Sequence, residues 1–136
     1  MPDTRPTTLF TLTERAMSAQ LVRMNAATSN LANAGSVASS ADQAYRPIRA
    51  VFTAELDRAS GLTSVSSGQL VRSATEPTKN YDPGHPLADA DGFVFEAGVD
   101  ESAEMVEIME SARQYQNLVQ ALQTAKQLMV ETLKSN

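Results

Sequence analysis

Apolar residues in the last third of the chain follow a heptad grid, spaced alternately three and four residues apart. Lys126 is the one break in the grid, and no Gly or Pro follows Gly98. This spacing predicts one uninterrupted helix over residues 99–133 with a single apolar stripe. Such a helix would be about 50 Å long, so other elements or subunits must cover its stripe. The stripe comprises Met105, Ile108, Ala112, Tyr115, Val119, Leu122, Met129 and Leu133.

A second amphipathic pattern covers residues 9–33. Large apolar residues share one face and a second stripe is mostly alanine, which predicts a helix with more than one partner. Thr11 and Glu14 have the spacing of a capping box, although a start one turn earlier stays open. Residues 33–35 predict the stop, since Gly35 tolerates the left-handed conformation that ends many helices. The large face comprises Phe10, Met17, Leu21, Met24 and Leu31, and the small stripe includes Ala16, Ala19, Ala26 and Ala27.

The middle of the chain has a different composition. Residues 34–98 hold all six glycines and four of the six prolines, so a long helix is not expected there. Residues 36–44 form a run of small residues without clear periodicity and predict a loop. Short strands are predicted at residues 46–52, 69–73 and 93–95.

Together these patterns predict a mainly α protein with a small β-rich insert. The long N- and C-terminal helices are expected to pair as a coiled coil, with loops and short strands between them. The chain then divides into an N-terminal helix (residues 1–35), a β/loop insert (36–98) and a long C-terminal helix (99–136). Only 5% of the residues are aromatic and much of the 42% hydrophobic content is alanine. A free monomer would therefore be marginally stable, and neighbouring subunits are expected to stabilise it.

Charge and hydropathy exclude several classes of partner. The formal net charge is −5, and basic residues exceed acidic ones only in residues 1–50, where five face three. Nucleic acid is therefore not an expected partner. No apolar run approaches the roughly 18 residues of a membrane span. Residues 1–8 lack the apolar core of a cleaved secretion signal, so any export is expected to use a route that needs none. The chain has no cysteine, so neither disulfides nor thiolate chemistry is available.

The one histidine, His85, lies in a turn rich in Gly and Pro. A hydrolase hypothesis would make it a general base, oriented by Asp82 or Asp89, for a serine nucleophile. No G-x-S-x-G element accompanies it, and the aspartates do not match the ligand spacing of an EF-hand. The favoured interpretation is a rigid turn whose imidazole packs or hydrogen-bonds locally. We therefore expect no enzymatic activity, no cofactor and no metal site.

Asn30 and Asn33 lie three residues apart near the end of the first predicted helix. Composition favours a fraying, polar helix end, since Asn is common at such positions. The alternative is a pair of side-chain amides that hydrogen-bond to a neighbouring helix or loop.

Several short motifs resemble those of the bacterial flagellar rod and hook proteins. The first helix carries a sequence similar to that family's A-Q-x-x-R-M-N signature and the S-N-x-A-N box that follows it. The turn around His85 and the end of the chain resemble the proximal rod subunits within the family, and the resemblance covers nearly the whole chain. Leu118 departs from it, because the family commonly has Asn there, and residues 59–73 fit poorly. The matching residues are Ala19, Gln20, Arg23, Met24, Asn25, Ser29, Asn30, Leu31, Ala32, Asn33, Tyr45, Arg46, Tyr81, Asp82, Pro83, Gly84, His85, Pro86, Leu87, Ala88, Asp89, Gly92, Phe93, Val94, Glu104, Met105, Val106, Ala112, Arg113, Gln114, Tyr115, Gln116, Ala125 and Lys126.

The resemblance implies a structural subunit of the proximal rod. Such subunits self-assemble through their terminal helices into the hollow drive shaft that transmits torque from the membrane ring to the hook. The implied partners are copies of the chain, other rod proteins, the flagellar type III export apparatus, and the membrane ring or its adaptor. No nucleic acid and no direct membrane span are expected. The implied location is the periplasmic rod of the basal body, reached without a cleaved signal.

The assembly interface is expected on the two helices, because their apolar faces exceed what one small subunit covers. A helical adaptor or export-related binding module would use the same faces for one partner in a closed complex. A small hydrolase centred on His85 is the remaining alternative. The expected interface residues are Met17, Leu21, Met24, Asn30, Leu31, Asn33, Met105, Ile108, Ala112, Arg113, Tyr115, Val119, Leu122 and Met129.

Overall fold

Two helices form the largest elements of the protein. The computed structural model describes residues 8–66 and 68–136. Helix α1 spans Leu9–Ala32 and helix α2 spans Glu101–Ser135, in agreement with the helices expected from the apolar patterns. The prediction that no cleaved secretion signal is present concerned residues 1–8, and of these residues 1–7 lie outside the described part of the chain.

Polar residues set the helix ends. The hydroxyl of Thr8 accepts a hydrogen bond from the N–H of Thr11 (3.2 Å), so α1 begins one turn before the suggested capping box. Asp100 is the N-cap of α2, as predicted. The N–H of Asn33 bonds back into the last turn of α1, which ends the helix near the expected position. Gly35 does not have the positive φ that the sequence argument assumed, so a left-handed glycine is not the cause of the stop.

The segment between the helices forms seven strands in three antiparallel sheets. Three strands coincide with those predicted at residues 46–52, 69–73 and 93–95, and no sequence pattern predicts the other four. The strands are β1 (Val37–Ala38), β2 (Ile48–Val51), β3 (Ala54–Asp57), β4 (Leu62–Val65), β5 (Gln69–Arg72), β6 (Thr78–Tyr81) and β7 (Phe93–Glu96).

The predicted fold class is wrong. About 46% of the described residues are helical and 20% lie in strands, so the protein is not a mainly α coiled coil with a small insert. Four strands escape the hydropathy pattern because they are short and show no clear alternation of apolar and polar residues. In β6, for example, every residue is exposed. Backbone pairing with β7 fixes β6, in a register that runs from Thr78 opposite Glu96 to Tyr81 opposite Phe93.

Strands β2 to β5 form one long hairpin, which we call the arm (residues 48–72). β2 pairs with β5, and the β3–β4 pair is nested between them. Where the two ladders meet, the N–H of Ser66 donates to the carbonyl of Thr53 (2.9 Å). The ring of Phe52 lies directly against Gly68, where any Cβ would collide with it. Any larger residue at position 68 would therefore have to displace the ring of Phe52.

The third sheet has the order β1-β7-β6. Its central strand places Val94 in the core, with 2% of its surface exposed. The N–H of Ala97 donates to the carbonyl of Ser36 (3.1 Å). This bond ties the start of α2 to the end of α1, so the sheet sets the spacing between the two helices.

The two helices pack side by side and run antiparallel. Arg23 of α1 bonds Glu107 of α2 (2.8 Å), whereas the later α1 residue Asn30 lies beside β2, which contacts the earlier α2 residue Glu104. The fully buried part of the contact consists of small and polar side chains. The buried residues of α1 are Ala19, Ala26, Ala27 and Asn30, and those of α2 are Glu104 and Ser111.

The inward stripe of α2 is offset from the predicted one. Burial recurs at positions 104, 108, 111, 115, 118, 122 and 125, so alternate positions lie one residue earlier than predicted. Met105 is accordingly 54% exposed, while Ala112 and Val119 stay half-buried at the edge. Ser111 can be buried because its hydroxyl donates to the carbonyl of Glu107 in its own helix (2.7 Å) and needs no other partner.

The close approach of the helices predicts a strong size limit at Ala27, which is 1% exposed. Ala27→Leu should lower the free energy of unfolding by about 1–3 kcal/mol, because the larger side chain must push α2 away. Ala32→Leu, at an exposed position of the same helix, is the matched control and should change it by less than about 0.5 kcal/mol. Urea denaturation followed by circular dichroism measures both. Equal stability of the two variants would contradict the packing described.

Candidate assembly interface

The predicted interface residues fall into three groups by burial. Asn30 is fully buried inside the subunit. The half-buried group lies on the paired helices and at the end of α1, and the exposed group faces solvent. The half-buried residues are Met17, Met24, Leu31, Asn33, Ile108, Ala112, Tyr115, Val119 and Leu122, and the exposed residues are Leu21, Met105, Arg113 and Met129.

Helix α2 exposes two groups of apolar residues. The N-terminal α2 patch consists of Met105, Val106 and Met109, of which Met109 is 67% exposed. Single exposed apolar side chains are ordinary on protein surfaces, whereas grouped ones mark binding surfaces. The heptad pattern does not include most residues of the two patches, because they lie beside the predicted stripe. Their apolar character at positions outside the stripe is the feature of the sequence that could have revealed them. The C-terminal α2 patch consists of Leu128, Met129, Val130 and Leu133.

Asn30 joins α1 to the arm. Its side-chain amide donates to the carbonyl of Ile48 (2.9 Å), and its Oδ1 accepts from the N–H of the same residue (2.7 Å). The hydroxyl of Tyr45 also donates to Oδ1 (2.9 Å). The fraying-end interpretation is therefore wrong for Asn30, and the alternative of an amide bonded to a neighbouring segment is confirmed. Asn33 behaves differently, since its amide donates to Ser29 within α1 (2.8 Å).

Two ion pairs join the start of α2 to the rest of the subunit. Arg23 of α1 donates to Glu107 (2.8 Å), and Arg49 of β2 donates to Oε1 of Glu104 (2.6 Å). Glu104 is 1% exposed, and its Oε2 has no hydrogen-bond partner among the described residues. A buried charge of this kind depends on its one partner. The two pairs border a cavity of about 290 Å³ between α1, β2 and α2.

The turn around His85 is held by hydrogen bonds to the backbone. The ring Nδ1 of His85 accepts from the N–H of Leu87 (3.0 Å). One carboxylate oxygen of Asp89 accepts from the N–H groups of Asp91 and Phe93 (3.0 and 2.8 Å). Gly92 has a φ of 85°, a conformation that favours glycine. The imidazole is thus bonded within the turn, as the favoured interpretation predicted, and Asp89 orients the backbone instead of the ring.

The described residues offer neither a metal-ion cluster nor a membrane-spanning helix. No group of three or more histidine, aspartate or glutamate side chains there is placed to hold a metal ion. Neither helix of that part of the chain combines the length and apolar character needed to cross a membrane.

The burial of Asn30 predicts a large effect of its removal. Asn30→Ala should lower the free energy of unfolding by about 2–3 kcal/mol, because the buried N–H and carbonyl of Ile48 lose their partners. Asn25→Ala, at an exposed position of α1, is the control and should leave stability nearly unchanged. Thermal unfolding measured by calorimetry compares the two. A melting temperature of Asn30→Ala equal to that of the control would exclude the joint.

The pair of Arg49 and Glu104 predicts a non-additive effect. Arg49→Met should destabilise the fold by about 1–3 kcal/mol, because the Glu104 charge stays buried without its partner. Adding Glu104→Gln should recover part of the loss, since the uncompensated charge is then gone. Urea denaturation of Arg49→Met, Glu104→Gln and the double variant measures this, with Arg58→Met at an exposed site as control. The coupling is refuted if the double variant loses the sum of the two single effects.

This chain is similar to known flagellar proteins. Residues 90–134 match the family model described as flagellar basal body rod FlgEFG protein C-terminal. The flagellar basal-body rod protein FlgC of Salmonella typhimurium is 38% identical over 125 residues, which cover 92% of this chain and 93% of that protein. Proteins of the same name from Yersinia enterocolitica and Agrobacterium fabrum are 37% and 31% identical. They match 92% and 86% of this chain, and 93% and 85% of their own lengths.

The similarity extends over nearly the full length of both chains, so it applies to the helices and to the β-rich segment alike. The resemblance found in the sequence motifs is thereby confirmed, and association with other components of the flagellar rod follows from it. The chain belongs to the family of the flagellar basal-body rod protein FlgC, and it is a structural subunit of the flagellar rod.

Proposed function

We propose that the chain self-assembles through its terminal helices into the proximal rod, a hollow shaft that transmits torque from the membrane ring to the hook. The observation that carries the proposal is the pair of exposed apolar patches on α2. Leu133 is 69% exposed and Met109 is 67% exposed, and no described element of the subunit covers either patch. Burying such surface stabilises an assembly by about 25 cal/mol per Å².

The unequal helix lengths support the same proposal. α1 has 24 residues and α2 has 35. The C-terminal α2 patch lies in the last turns of the longer helix, where exposure is continuous from Lys126 to the end. A neighbouring subunit can pack its own helices against this end. Contacts between unlike surfaces of successive subunits do not close, and they generate a helical tube.

In this arrangement the terminal segments, residues 1–35 and 99–136, form the rod core. The half-buried and exposed helix residues given above form the interface, with Leu21 and Met24 on α1 and Met105 and Met129 on α2. Residues 36–98 lie farther out and contact adjacent subunits. The partners are copies of the chain, other rod proteins, the type III export apparatus, and the membrane ring or its adaptor. The rod lies in the periplasm, and the subunit is exported without a cleaved signal.

Gene deletion followed by electron microscopy of purified basal bodies tests the function. The expected result is membrane rings without a complete rod and hook, restored by the wild-type gene. Intact basal bodies in the deletion strain would exclude the rod function. A closed complex of fixed stoichiometry with one partner would favour the helical adaptor instead.

Charge at the exposed helix surface should block assembly without unfolding the subunit. Leu21→Asp and Leu133→Asp place a carboxylate where the interface must be dry, so complete rods should fall by about ten-fold or more. Because both residues are exposed in the subunit (41% and 69%), stability should stay within about 0.5 kcal/mol of wild type. Gln114→Asp, exposed and polar on α2, is the control. Rod counts from micrographs and urea denaturation separate assembly from folding.

Normal rods made from both Leu21→Asp and Leu133→Asp would remove these surfaces from the interface. Leu122→Asp should also block incorporation, but Leu122 is half-buried, so its effect combines folding and assembly. The variants Leu21→Asp and Leu133→Asp therefore decide whether these surfaces belong to the interface.

A further inference from the structure

A cleft of about 450 Å³ lies between the segment after α1 and strand β5. Its walls include Val37, Ala38 and Ala44, and its charged lining consists of Arg46, Arg72 and Asp42. The lining thus carries two cations and one anion in a chain whose net charge is −5. The charge of the lining is therefore opposite in sign to the net charge of the chain.

The guanidinium of Arg72 is held in place from two directions. It lies over the ring of Tyr45, with its Cζ 5.2 Å from the ring centroid. Its Nη1 donates to the carbonyl of Arg46 (2.9 Å). These contacts fix the plane of the guanidinium and leave its remaining N–H donors available.

The platform under Arg72 is itself rigid. The hydroxyl of Tyr45 donates to the fully buried Asn30 (2.9 Å) and lies 3.2 Å from the hydroxyl of Ser29. Tyr45 therefore cannot swing aside without losing these hydrogen bonds. Arg72, although exposed at the surface, sits on a preorganised support.

The arginines of the cleft lack a carboxylate partner within the described part of the chain. The ion pairs found there use Arg23 and Arg49 instead. Asp42 lines the same cleft without approaching either arginine to ion-pair distance. Guanidinium groups recognise carboxylates through paired N–H donors, so an acidic side chain would fit this lining.

We propose that the Arg46–Arg72 cleft receives a carboxylate from an acidic surface segment of a neighbouring rod subunit. The proposal rests on the assembly function above. Charge complementarity supports this occupant, because the chain has a net charge of −5 and exposes carboxylates that form no ion pair among the described residues. On this chain, Glu101 and Glu110 of α2 are examples. The contact orients the subunit about the apolar interface, since complementary charges fix register more than they add affinity.

A charge series at the two arginines tests the proposal in assembled basal bodies. The double variant Arg46→Glu/Arg72→Glu should yield about ten-fold fewer complete rods, because the incoming carboxylate is repelled. Arg46→Lys/Arg72→Lys keeps the charge and should retain most assembly. Arg58→Glu, at an exposed arginine on the arm, is the matched control and should assemble normally. Urea denaturation of each variant checks that the subunit still folds.

Photo-crosslinking identifies the occupant without altering the arginines. A photoreactive residue replacing Gln43, exposed at the edge of the cleft, should crosslink in basal bodies to another rod subunit. The crosslinked peptide should contain Asp or Glu, as read by mass spectrometry. No crosslink, or one to a peptide without an acidic residue, would overturn the proposal. Loss of rods in the charge series with no crosslink would indicate a small anion in the cleft, and this also overturns it.

The outcomes separate this proposal from the rod function. If Arg46→Glu/Arg72→Glu assembles like Arg58→Glu while Leu21→Asp still blocks the rod, the cleft is not an interface and the assembly function stands. If the deletion strain makes complete rods, the assembly function itself fails.

Discussion

The rest of the structure depends on one buried amide. Asn30 is fully enclosed and satisfies both the N–H and the carbonyl of Ile48, together with the hydroxyl of Tyr45. Buried backbone groups without partners are costly, so these bonds fix the distance between α1 and the arm. The position of β2 then determines where Arg49 meets Glu104 (2.6 Å), and this pair ties the arm to α2.

Small and large residues have different roles in the packing of the subunit. Alanines and Ser111 occupy the tightest contacts between the helices, which lets the backbones approach and encloses polar side chains. The large apolar residues, such as Met109 and Leu133, stay at the surface. A subunit built in this way folds on small contacts and leaves large apolar side chains exposed, where the proposed interface would bury them. This division agrees with membership in a family of rod proteins.

The buried interior also supports a second surface, the cleft lined by Arg46 and Arg72. Tyr45 bonds the buried Asn30 with its hydroxyl and carries Arg72 on its ring. The cleft beside them is polar and cationic, whereas the patches on α2 are apolar. Apolar contacts stabilise an interface without fixing its orientation, whereas charge contacts fix the orientation. A shaft that must not twist at its joints needs both.

The sequence alone determined both helices, three of the strands and the family, because long amphipathic periods and specific motifs are local signals. The tertiary structure decided which helix face is buried. At positions 104 and 111 it selected Glu and Ser over their apolar neighbours, since space and hydrogen bonding outweigh hydropathy there. It also decided the fold class, because strands such as β6 exist only through pairing with a distant partner. The joint at Asn30 likewise required knowledge that residues 18 positions apart meet, which no local pattern contains.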